Sequence, residues 1–210
     1  RGCLCSQSLT SLRDILSTFS AVVIGPGLGR GGEVEMFVRE FLELAQSERI
    51  QAVIDADALR ALPTSQGERV PLTRGAILTP HPGEAAFLLG TTTTEVQKDR
   101  FTAAERLLDA TKATILLKGA GTIILNEEMG YVSLAGTPHL GTAGSGDVLS
   151  GVLGALIGQT GTALMATALG AYLHGKAAEY IFSNQTQGPF PASHLASAVS
   201  CVLGEHQRAR

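Results

Sequence analysis

Residues 21–57 have the sequence AVVIGPGLGRGGEVEMFVREFLELAQSERIQAVIDAD, in which two apolar runs flank a stretch with helical spacing. The runs at 21–24 and 52–54 are typical of strands that are buried on both faces. A helix is predicted over 33–46, with an apolar stripe that consists of Met36, Phe37, Phe41, Leu44 and Ala45. A strand, a helix and a second strand in this order favour a parallel sheet.

The same alternation continues along the rest of the chain. Further strands are predicted at 76–78, 114–117, 122–125 and 131–134, the last of them antiparallel. Further helices are predicted at 84–89, from a capping box at 94–97 through residue 110, and at 147–159, 163–183 and 192–203. No repeat or linker divides the sequence. We therefore expect one α/β domain over residues 1–210, with three αβα layers and a mostly parallel central sheet.

Composition and charge exclude several classes of function. The 210 residues are 44% hydrophobic and 17% charged, which is typical of a globular protein. The formal net charge of −3 offers no strong basic field to attract nucleic acid or an anionic membrane. No apolar run reaches the roughly 18 residues that a membrane span needs, and residues 1–11 lack the apolar stretch of a secretory signal.

The cysteines indicate a reducing compartment. Cys3 and Cys5 are too close in sequence to form a good disulfide, and with Cys201 they are the only three cysteines in the chain. They also make an incomplete metal site. We therefore expect a cytoplasmic protein.

Four short loops follow the predicted strands, at 25–29, 55–57, 79–84 and 118–122. In open parallel sheets, ligands bind outside the carboxyl ends of the strands, so these loops are the predicted rim of a binding site.

The segment GTAGSGD at residues 141–147, directly before an apolar helix, is the strongest candidate for a phosphate site. Glycines let backbone N–H groups approach a ligand, and the helix N-terminus adds free donors and partial positive charge. Asp147 either caps this helix or takes part in the chemistry, and the small residues before it favour the second hypothesis. Within the helix, Gly151, Gly154 and Gly158 are predicted to permit close packing.

The other loops each allow two interpretations. The segment at 25–29 lacks the full dinucleotide fingerprint, and an ordinary tight turn explains it equally well. His81 lies between two prolines that restrict the backbone, which favours a ligand contact over a structural role. Lys118 either contacts a phosphate or ribose, or is solvated at the end of a hairpin.

Asp55 and Asp57 could bind Mg²⁺ through water. We favour helix capping at Ala58 for Asp57 and leave Asp55 open.

The remaining histidines have no defensible metal-ligand spacing. They are His139, His174, His194 and His206.

Taken together, the motifs resemble the ADP-dependent NAD(P)H-hydrate dehydratase family, whose fold is ribokinase-like. The matching segments are VVIGPGLG at 22–29, IDADAL at 54–59, LTPHPGEAAFLLG at 78–90, LLKGAGT at 116–122 and GTAGSGDVLSGVLGAL at 141–156. The order and near-verbatim form of the five segments make the resemblance specific.

The resemblance implies a role for each segment. The residues that would contact the hydrated nicotinamide nucleotide are Gly27 or Gly29, His81 and Asp147. The residues that would hold the adenine nucleotide are Lys118, Gly119, Ala120, Gly121, Thr122 and, at its phosphate, Gly146. Asp147 would also be the general base.

The implied reaction restores NADH or NADPH from the S-epimer of its hydrate and consumes ADP. Phosphorylation would turn the hydroxyl into a good leaving group. Mg²⁺ would bridge phosphate oxygens, without an assured protein ligand. The resemblance further implies a homotetramer and an NAD(P)H-hydrate epimerase as a functional partner.

The chain departs from the family pattern in two places. Relatives usually have a further strand–helix unit before the GPGLG segment, where this chain has only about 20 residues. We therefore expect an N-terminally truncated domain with an open sheet edge and an incomplete pocket. Many relatives have Asn in the loop that contains Thr137, Pro138 and His139 here. Two other functions stay open: a non-catalytic nucleotide-binding remnant and a ribokinase-like small-molecule kinase.

Overall fold

A computed structural model describes residues 4–62, 72, 75–184 and 188–208, so Cys3 lies outside the described residues. Its centre is a six-stranded sheet in the order β1-β2-β3-β4-β5-β6. The strands are β1 (Ala21–Ile24), β2 (Gln51–Ile54), β3 (Ile77–Leu78), β4 (Thr114–Leu117), β5 (Thr122–Leu125) and β6 (Gly130–Ser133). Strands β1 to β4 are parallel, and β5 and β6 are antiparallel additions. The predicted mostly parallel sheet is confirmed.

Helices cover both faces of this sheet. They are α1 (Ser6–Leu16), α2 (Gly32–Ser47), α3 (Ala56–Ala61), α4 (Pro82–Leu89), α5 (Thr93–Lys98), α6 (Arg100–Thr111), α7 (Ser145–Thr160), α8 (Ala163–Asn184) and α9 (Ala192–Arg208). A short 3-10 helix at Pro138–Gly141 occupies part of the predicted glycine-rich loop. The three αβα layers are therefore confirmed.

Alternating strand residues supply the two cores. Ile54, Leu78 and Ile115 pack with the side chains of α2, α3, α4 and α6. Their neighbours Val53, Ile77 and Leu116 pack with α7 and α8 on the other face. Because successive side chains in a strand point to opposite faces, a strand covered on both faces must be apolar throughout.

Helix α2 follows the predicted stripe with one exception. Phe37, Phe41, Leu44 and Ala45 are buried. Met36 is 52% exposed, so its prediction as a core residue is wrong. Val34, Val38 and Leu42 complete the buried face instead. Val34 and Val38 each lie three residues before a phenylalanine and Leu42 lies four residues after Val38, so all three share the buried face, whereas Met36 lies at its exposed border.

The single helix predicted from 94 to 110 is two helices in the structure. Thr92, not Thr94, caps α5, and its side chain accepts a hydrogen bond from Glu95 N at 3.2 Å. Asp99 then interrupts the pattern with a non-helical backbone (φ −145°, ψ 87°) and caps α6 by accepting from Thr102 N at 3.0 Å. Asp competes for backbone N–H groups in this way and so favours caps over helix interiors.

Helix α1 has no counterpart among the predicted elements. Only Leu16 of this helix is buried, while Leu9 and Leu12 are partly buried against the core. A helix with so narrow an apolar stripe gives a weak periodic signal.

The glycines of α7 have different surroundings. A Cβ at Gly154 would lie 2.6 Å from Val23 Cγ2 of β1, and one at Gly158 would lie 3.3 Å from Ser20 Oγ. Close packing is confirmed at these two positions. It is wrong at Gly151, where a Cβ would meet no atom of the described residues within 4 Å.

We predict that Gly151→Ala stabilises the protein and Gly154→Ala does not. Alanine is favoured over glycine in a helix interior by about 1 kcal/mol, and only residue 151 has room for the methyl group. Urea unfolding followed by circular dichroism measures both variants against the wild type. Equal stabilisation by the two substitutions would contradict the packing described for α7.

Candidate functional site

The four predicted rim loops lie together at the carboxyl ends of β1 to β4. The strands are parallel, so the segments at 25–29, 55–57, 79–84 and 118–122 all leave the sheet at the same edge. The predicted location of the rim is confirmed. The first turn of α7 lies against this edge as well, as the contacts of Asp55 show.

Asp55 is the central residue of the site. It is 1% exposed, and its Oδ1 lies 2.8 Å from Lys118 Nζ. Its Oδ2 accepts a hydrogen bond from Ser150 Oγ of α7 at 2.7 Å. Burial raises the pKa of the Asp55 carboxyl, but the charge of Lys118 and hydrogen bonds from Lys118, Ser150 and Thr79 outweigh burial and hold this pKa below its ordinary value. Asp55 is therefore an ionised carboxylate that joins three loops to α7.

Lys118 is turned inward and is not solvated at the end of a hairpin, so that alternative is wrong. Its side chain is 21% exposed, and two carboxylates face its Nζ. One is that of Asp55, and the other is that of Glu84, whose Oε2 lies 3.7 Å away. A Cβ placed on Gly146 would lie 3.5 Å from Lys118 Nζ and 3.9 Å from Asp55 Oδ2. The structure thus brings Lys118 and Gly146 together, with the ammonium group beside the first turn of α7.

His81 is held by hydrogen bonds as well as by its flanking prolines. It is the N-cap of α4, and its Nδ1 accepts hydrogen bonds from Gly83 N at 2.9 Å and Glu84 N at 3.2 Å. Glu84 Oε2 in turn accepts from His81 N at 2.8 Å. Because Nδ1 is an acceptor, the proton of the neutral ring lies on Nε2, which is 3.5 Å from Glu84 Oε1. The exposed ring therefore has a fixed orientation at the rim.

The glycine-rich loop after β1 contacts the backbone of Asp55 directly. Gly25 has φ +133°, and a Cβ there would lie only 1.7 Å from Asp55 O, so no other residue fits. Gly27 and Gly29 have φ of +71° and +81°, and a Cβ at either would meet no described atom within 4 Å. Both face open space, and no described contact joins Gly27 to the other predicted site residues.

Asp57 does not cap α3, so that prediction is wrong. Asp55 has the N-cap position, and Asp57 lies in the first turn of the helix. The Asp57 carboxylate accepts a hydrogen bond from Gly29 N at 3.0 Å and lies 3.5 Å from Arg30 Nε. It therefore ties the glycine-rich loop to α3.

The N-terminus of α7 has no side-chain cap. Its N-cap is Gly144, with φ +84°, and Asp147 is the third helical residue. Within the described residues, the backbone N–H groups of Gly146 and Asp147 have no hydrogen-bond acceptor. The exposed Asp147 carboxylate likewise forms no hydrogen bond or ion pair there. The capping alternative for Asp147 is therefore wrong, and the turn presents donors and a carboxylate outward.

His174 of α8 binds the backbone of this turn at Ser145. It is buried, and its Nε2 donates to Ser145 O at 2.9 Å. Burial lowers the pKa of His174 to about 4, the bond to Ser145 opposes this change, and the nearby charge of Lys118 adds to it. The imidazole is neutral at pH 7 and acts as a hydrogen-bond donor.

The described residues contain no cluster of three His, Cys, Asp or Glu side chains that could hold a metal ion. Both Asp55 oxygens are already bonded to Lys118 and Ser150. The alternative that Asp55 and Asp57 together bind Mg²⁺ is therefore not supported. In the same part of the chain, no helix is both long and apolar enough to cross a membrane.

Three residues of this network were not predicted from the sequence: Glu84, Ser150 and His174. Glu84 has a local signal, because it lies three residues after His81 in the spacing of a capping box. The partners of Ser150 and His174 are 95 and 29 residues away in the chain. No local pattern marks such pairs.

The amino-acid sequence matches a known family over most of its length. The family model described as NAD(P)H-hydrate dehydratase matches residues 3–200. A bifunctional NAD(P)H-hydrate repair enzyme of Moorella thermoacetica is 40% identical over 96% of this chain and 38% of its own length. An ADP-dependent (S)-NAD(P)H-hydrate dehydratase of Neisseria meningitidis is 41% identical over 84% of this chain and 58% of its own length. The chain thus spans less than two thirds of either relative.

Solved structures with the same architecture include an ADP/ATP-dependent NAD(P)H-hydrate dehydratase from Bacillus subtilis, co-crystallised with ATP and Mg²⁺ and soaked with CoA. Its TM-score is 0.76 at 26% identity, with 92% of this chain and 71% of that chain covered. A ribokinase-like superfamily protein from Enterococcus faecalis has a TM-score of 0.79 at 22% identity, over 96% of this chain and 69% of its own. The second likeness concerns the fold alone, and it confirms the predicted ribokinase-like fold.

We predict that Asp55→Asn lowers the free energy of unfolding by about 3 kcal/mol, because removing one partner of a buried ion pair leaves the other charge uncompensated. The matched control is Asp57→Asn, two residues away, whose partner Arg30 has a side chain that is 71% exposed. We expect the control to change stability by less than about 1 kcal/mol. Denaturant unfolding compares the two, and an equal loss in both would argue against a central role for Asp55.

We predict that the stability of the protein depends on pH through His174. The unfolded chain protonates His174 near pH 6.5, whereas the folded protein does so only near pH 4. Protons therefore favour the unfolded state in this window, and stability falls by about 3 kcal/mol between pH 6.5 and 4 because of this residue. His174→Gln should flatten that part of the curve of unfolding free energy against pH.

The control for this measurement is His194→Gln, since His194 is exposed on α9. It should keep the wild-type slope between pH 6.5 and 4. An unchanged slope in His174→Gln would mean that the buried imidazole is not the group that titrates.

Proposed function

Because the chain belongs to the NAD(P)H-hydrate dehydratase family, we propose that it removes water from hydrated NADH and NADPH at the expense of ADP. The name of the Neisseria relative specifies the S form, and we propose the same epimer as the substrate here. We further propose that residues 1–210 form one ribokinase-like domain with this activity.

The observation that carries the proposal is the uncapped first turn of α7. Its N–H groups at Gly146 and Asp147 have no acceptor among the described residues, and the Lys118 ammonium lies beside Gly146. Such donors and the helix dipole favour phosphate oxygens. The exposed Asp147 carboxylate stands at the same turn. A phosphate site and a proton acceptor therefore lie within one helical turn of each other.

The predicted site residues divide between two ligands on this proposal. The first turn of α7, through Gly146, binds a phosphate of ADP. The rest of the adenine nucleotide is bound by the loop after β4, which consists of Lys118, Gly119, Ala120, Gly121 and Thr122. The hydrated nicotinamide lies toward the loop after β1 and the start of α4, against Gly27, Gly29, His81 and Asp147.

The chemistry must convert a poor leaving group into a good one. In the first step, Asp147 accepts the proton of the substrate hydroxyl while the hydroxyl oxygen attacks the β-phosphorus of ADP. The bond from that phosphorus to the bridging oxygen breaks, and AMP leaves. In the second step the carbon–oxygen bond breaks and phosphate departs with its electron pair, while the neighbouring carbon loses a proton to solvent water and the ring double bond forms. The products are the reduced nicotinamide nucleotide, AMP and phosphate.

The N-terminus of α7 stabilises the phosphate charge during the transfer, and the Lys118 ammonium, which is paired with Asp55 and Glu84, adds hydrogen-bond donors beside it. A Mg²⁺ ion that accompanies ADP would contribute to the same stabilisation. The described residues offer it no cluster of three protein ligands, so we propose no protein-based metal site.

The cellular context is part of the proposal. We propose that NAD(P)H-hydrate epimerase is a functional partner, since several relatives are named bifunctional repair enzymes and this chain matches only part of them. We propose a cytoplasmic location, consistent with the free thiols of Cys5 and Cys201. A homotetramer is also proposed, supported by the exposed apolar side chains Met165 and Leu169 on α8.

The test is the near-ultraviolet absorbance of reduced nicotinamide after the purified chain is mixed with hydrated NADH, ADP and Mg²⁺. We expect a rise that requires ADP. Asp147→Asn should lower kcat at least about 100-fold, the usual contribution of a general base, while the Kd for ADP stays near the wild-type value.

The matched control is Asp14→Asn, which removes an exposed carboxylate of α1 far from the rim, and it should keep full activity. A folded wild-type chain that binds ADP without an absorbance rise would refute the dehydratase and favour a nucleotide-binding remnant. A stable phosphorylated product would instead indicate a small-molecule kinase. Full activity in Asp147→Asn would remove the base role from this residue.

A further inference from the structure

Arg100, the first residue of α6, holds the loop after β4 from outside the predicted site. Its Nη1 donates to Ala120 O at 2.5 Å, and its Nη2 donates to Leu117 O at 3.1 Å and Lys118 O at 3.3 Å. One planar guanidinium therefore binds three carbonyl groups, one at the end of β4 and two in the turn that follows it. Among the described residues of the proposed substrate site, none donates side-chain hydrogen bonds to several carbonyls of this turn.

Gly119 shows how closely the guanidinium and the turn fit together. It has φ +144°, and a Cβ at this position would lie 2.8 Å from Arg100 Nη2 and 3.1 Å from Arg100 Cζ. A side chain at residue 119 would therefore displace the guanidinium. The guanidinium and the backbone of the turn are therefore in close contact at this position.

The charge of Arg100 is not compensated within the described residues. All three acceptors are neutral carbonyls, and no described carboxylate lies within ion-pair distance of the guanidinium. Its Nε is buried and has no hydrogen-bond partner there. Lys118, by contrast, has two carboxylates, Asp55 and Glu84. The positive charge beside the turn is thus available to an anion.

The break between α5 and α6 places Arg100 at the turn. Asp99 accepts hydrogen bonds from Thr102 N at 3.0 Å and from Thr102 Oγ1 at 2.8 Å, which fixes the first turn of α6. Arg100 follows directly after this cap. The helix start, rather than the loop's own residues, therefore determines where the guanidinium lies.

We infer that Arg100 is a positioning residue for the adenine nucleotide: it sets the shape of the 118–122 turn and supplies an uncompensated positive charge beside it. The inference rests on the proposed function, in which this turn binds ADP. It predicts that substitution of Arg100 weakens the binding of ADP and leaves the binding of hydrated NADH unchanged, because the contacts of Arg100 lie within 117–120.

The first experiment measures ADP binding by titration calorimetry with Mg²⁺ present. Arg100→Met should raise the Kd about tenfold or more, the effect of losing charge-assisted hydrogen bonds. Arg100→Lys keeps the charge but cannot span three carbonyls, so its Kd should be intermediate. In turnover, the KM for ADP should rise with the Kd, while the KM for hydrated NADH stays within about twofold.

The matched control is Arg106→Met on the same helix, because Arg106 donates to a single carbonyl, Leu89 O, at 3.4 Å outside the turn. It should leave both KM values unchanged. An unchanged Kd in Arg100→Met, or an equal rise of both KM values, would overturn the inference while the dehydratase activity of the wild type stands. If Arg100→Met does not fold, Arg100→Lys is measured instead, and an unchanged Kd for ADP in that variant would overturn the inference.

A second measurement tests the position of the turn without any nucleotide. The Lys118 N–H donates to Pro80 O at 2.9 Å, and the Thr79 N–H donates to Ile54 O at 3.1 Å after the neighbouring strand. In Arg100→Met the amide exchange of Lys118 should be faster by about tenfold and that of Thr79 unchanged, because only one loop loosens. Unchanged exchange at Lys118 would overturn the positioning role. Faster exchange in a protein whose wild type binds no ADP would keep that role and refute the proposed function.

Discussion

The ion pair between Asp55 and Lys118 is the interaction on which the rest of the site depends. The two residues are 63 positions apart in the chain, and they follow the strands on either side of β3, yet their charged atoms lie 2.8 Å apart. Either charge alone would be costly to bury, so each requires the other in place. Since Ser150 shares the same carboxylate, α7 is coupled to the pair. The loops at the sheet edge therefore form one structure.

The two helix N-termini at this edge differ in how their donors are satisfied. At α4, His81 and Glu84 bond the free N–H groups of the first turn, and the turn is complete without a ligand. At α7, the N-cap is a glycine and no side chain takes that role. Backbone donors that have no acceptor among the described residues and lie beside a lysine favour an anionic ligand. This contrast is the reason that we propose phosphate binding at α7 and substrate orientation at α4.

Irregular backbone places the remaining parts. Gly25 allows the loop after β1 to touch the carbonyl of Asp55, and the non-helical backbone of Asp99 starts α6 where Arg100 reaches the turn after β4. Both residues lie at the boundary of a regular element, and both bring a loop of the site to its position. A ribokinase-like sheet is a scaffold that several activities share, so such local departures carry more functional information than the sheet does.

The sequence by itself determined the strands, the mostly parallel sheet and the edge at which the loops collect, because apolar runs and glycine turns are local signals. It also determined which segments carry the predicted site residues. Local patterns did not predict the exposure of Met36, the helix break at Asp99 or the N-cap of α3. In these cases the neighbouring elements decide which side of a helix is buried and which carboxylate binds a backbone donor. Only the tertiary structure decided that Lys118 turns toward Asp55, that His174 supports Ser145 and that Arg100 holds Gly119. These contacts join residues that are distant in the chain, and their energies depend on burial and distance, which exist only once the sheet has brought the loops together.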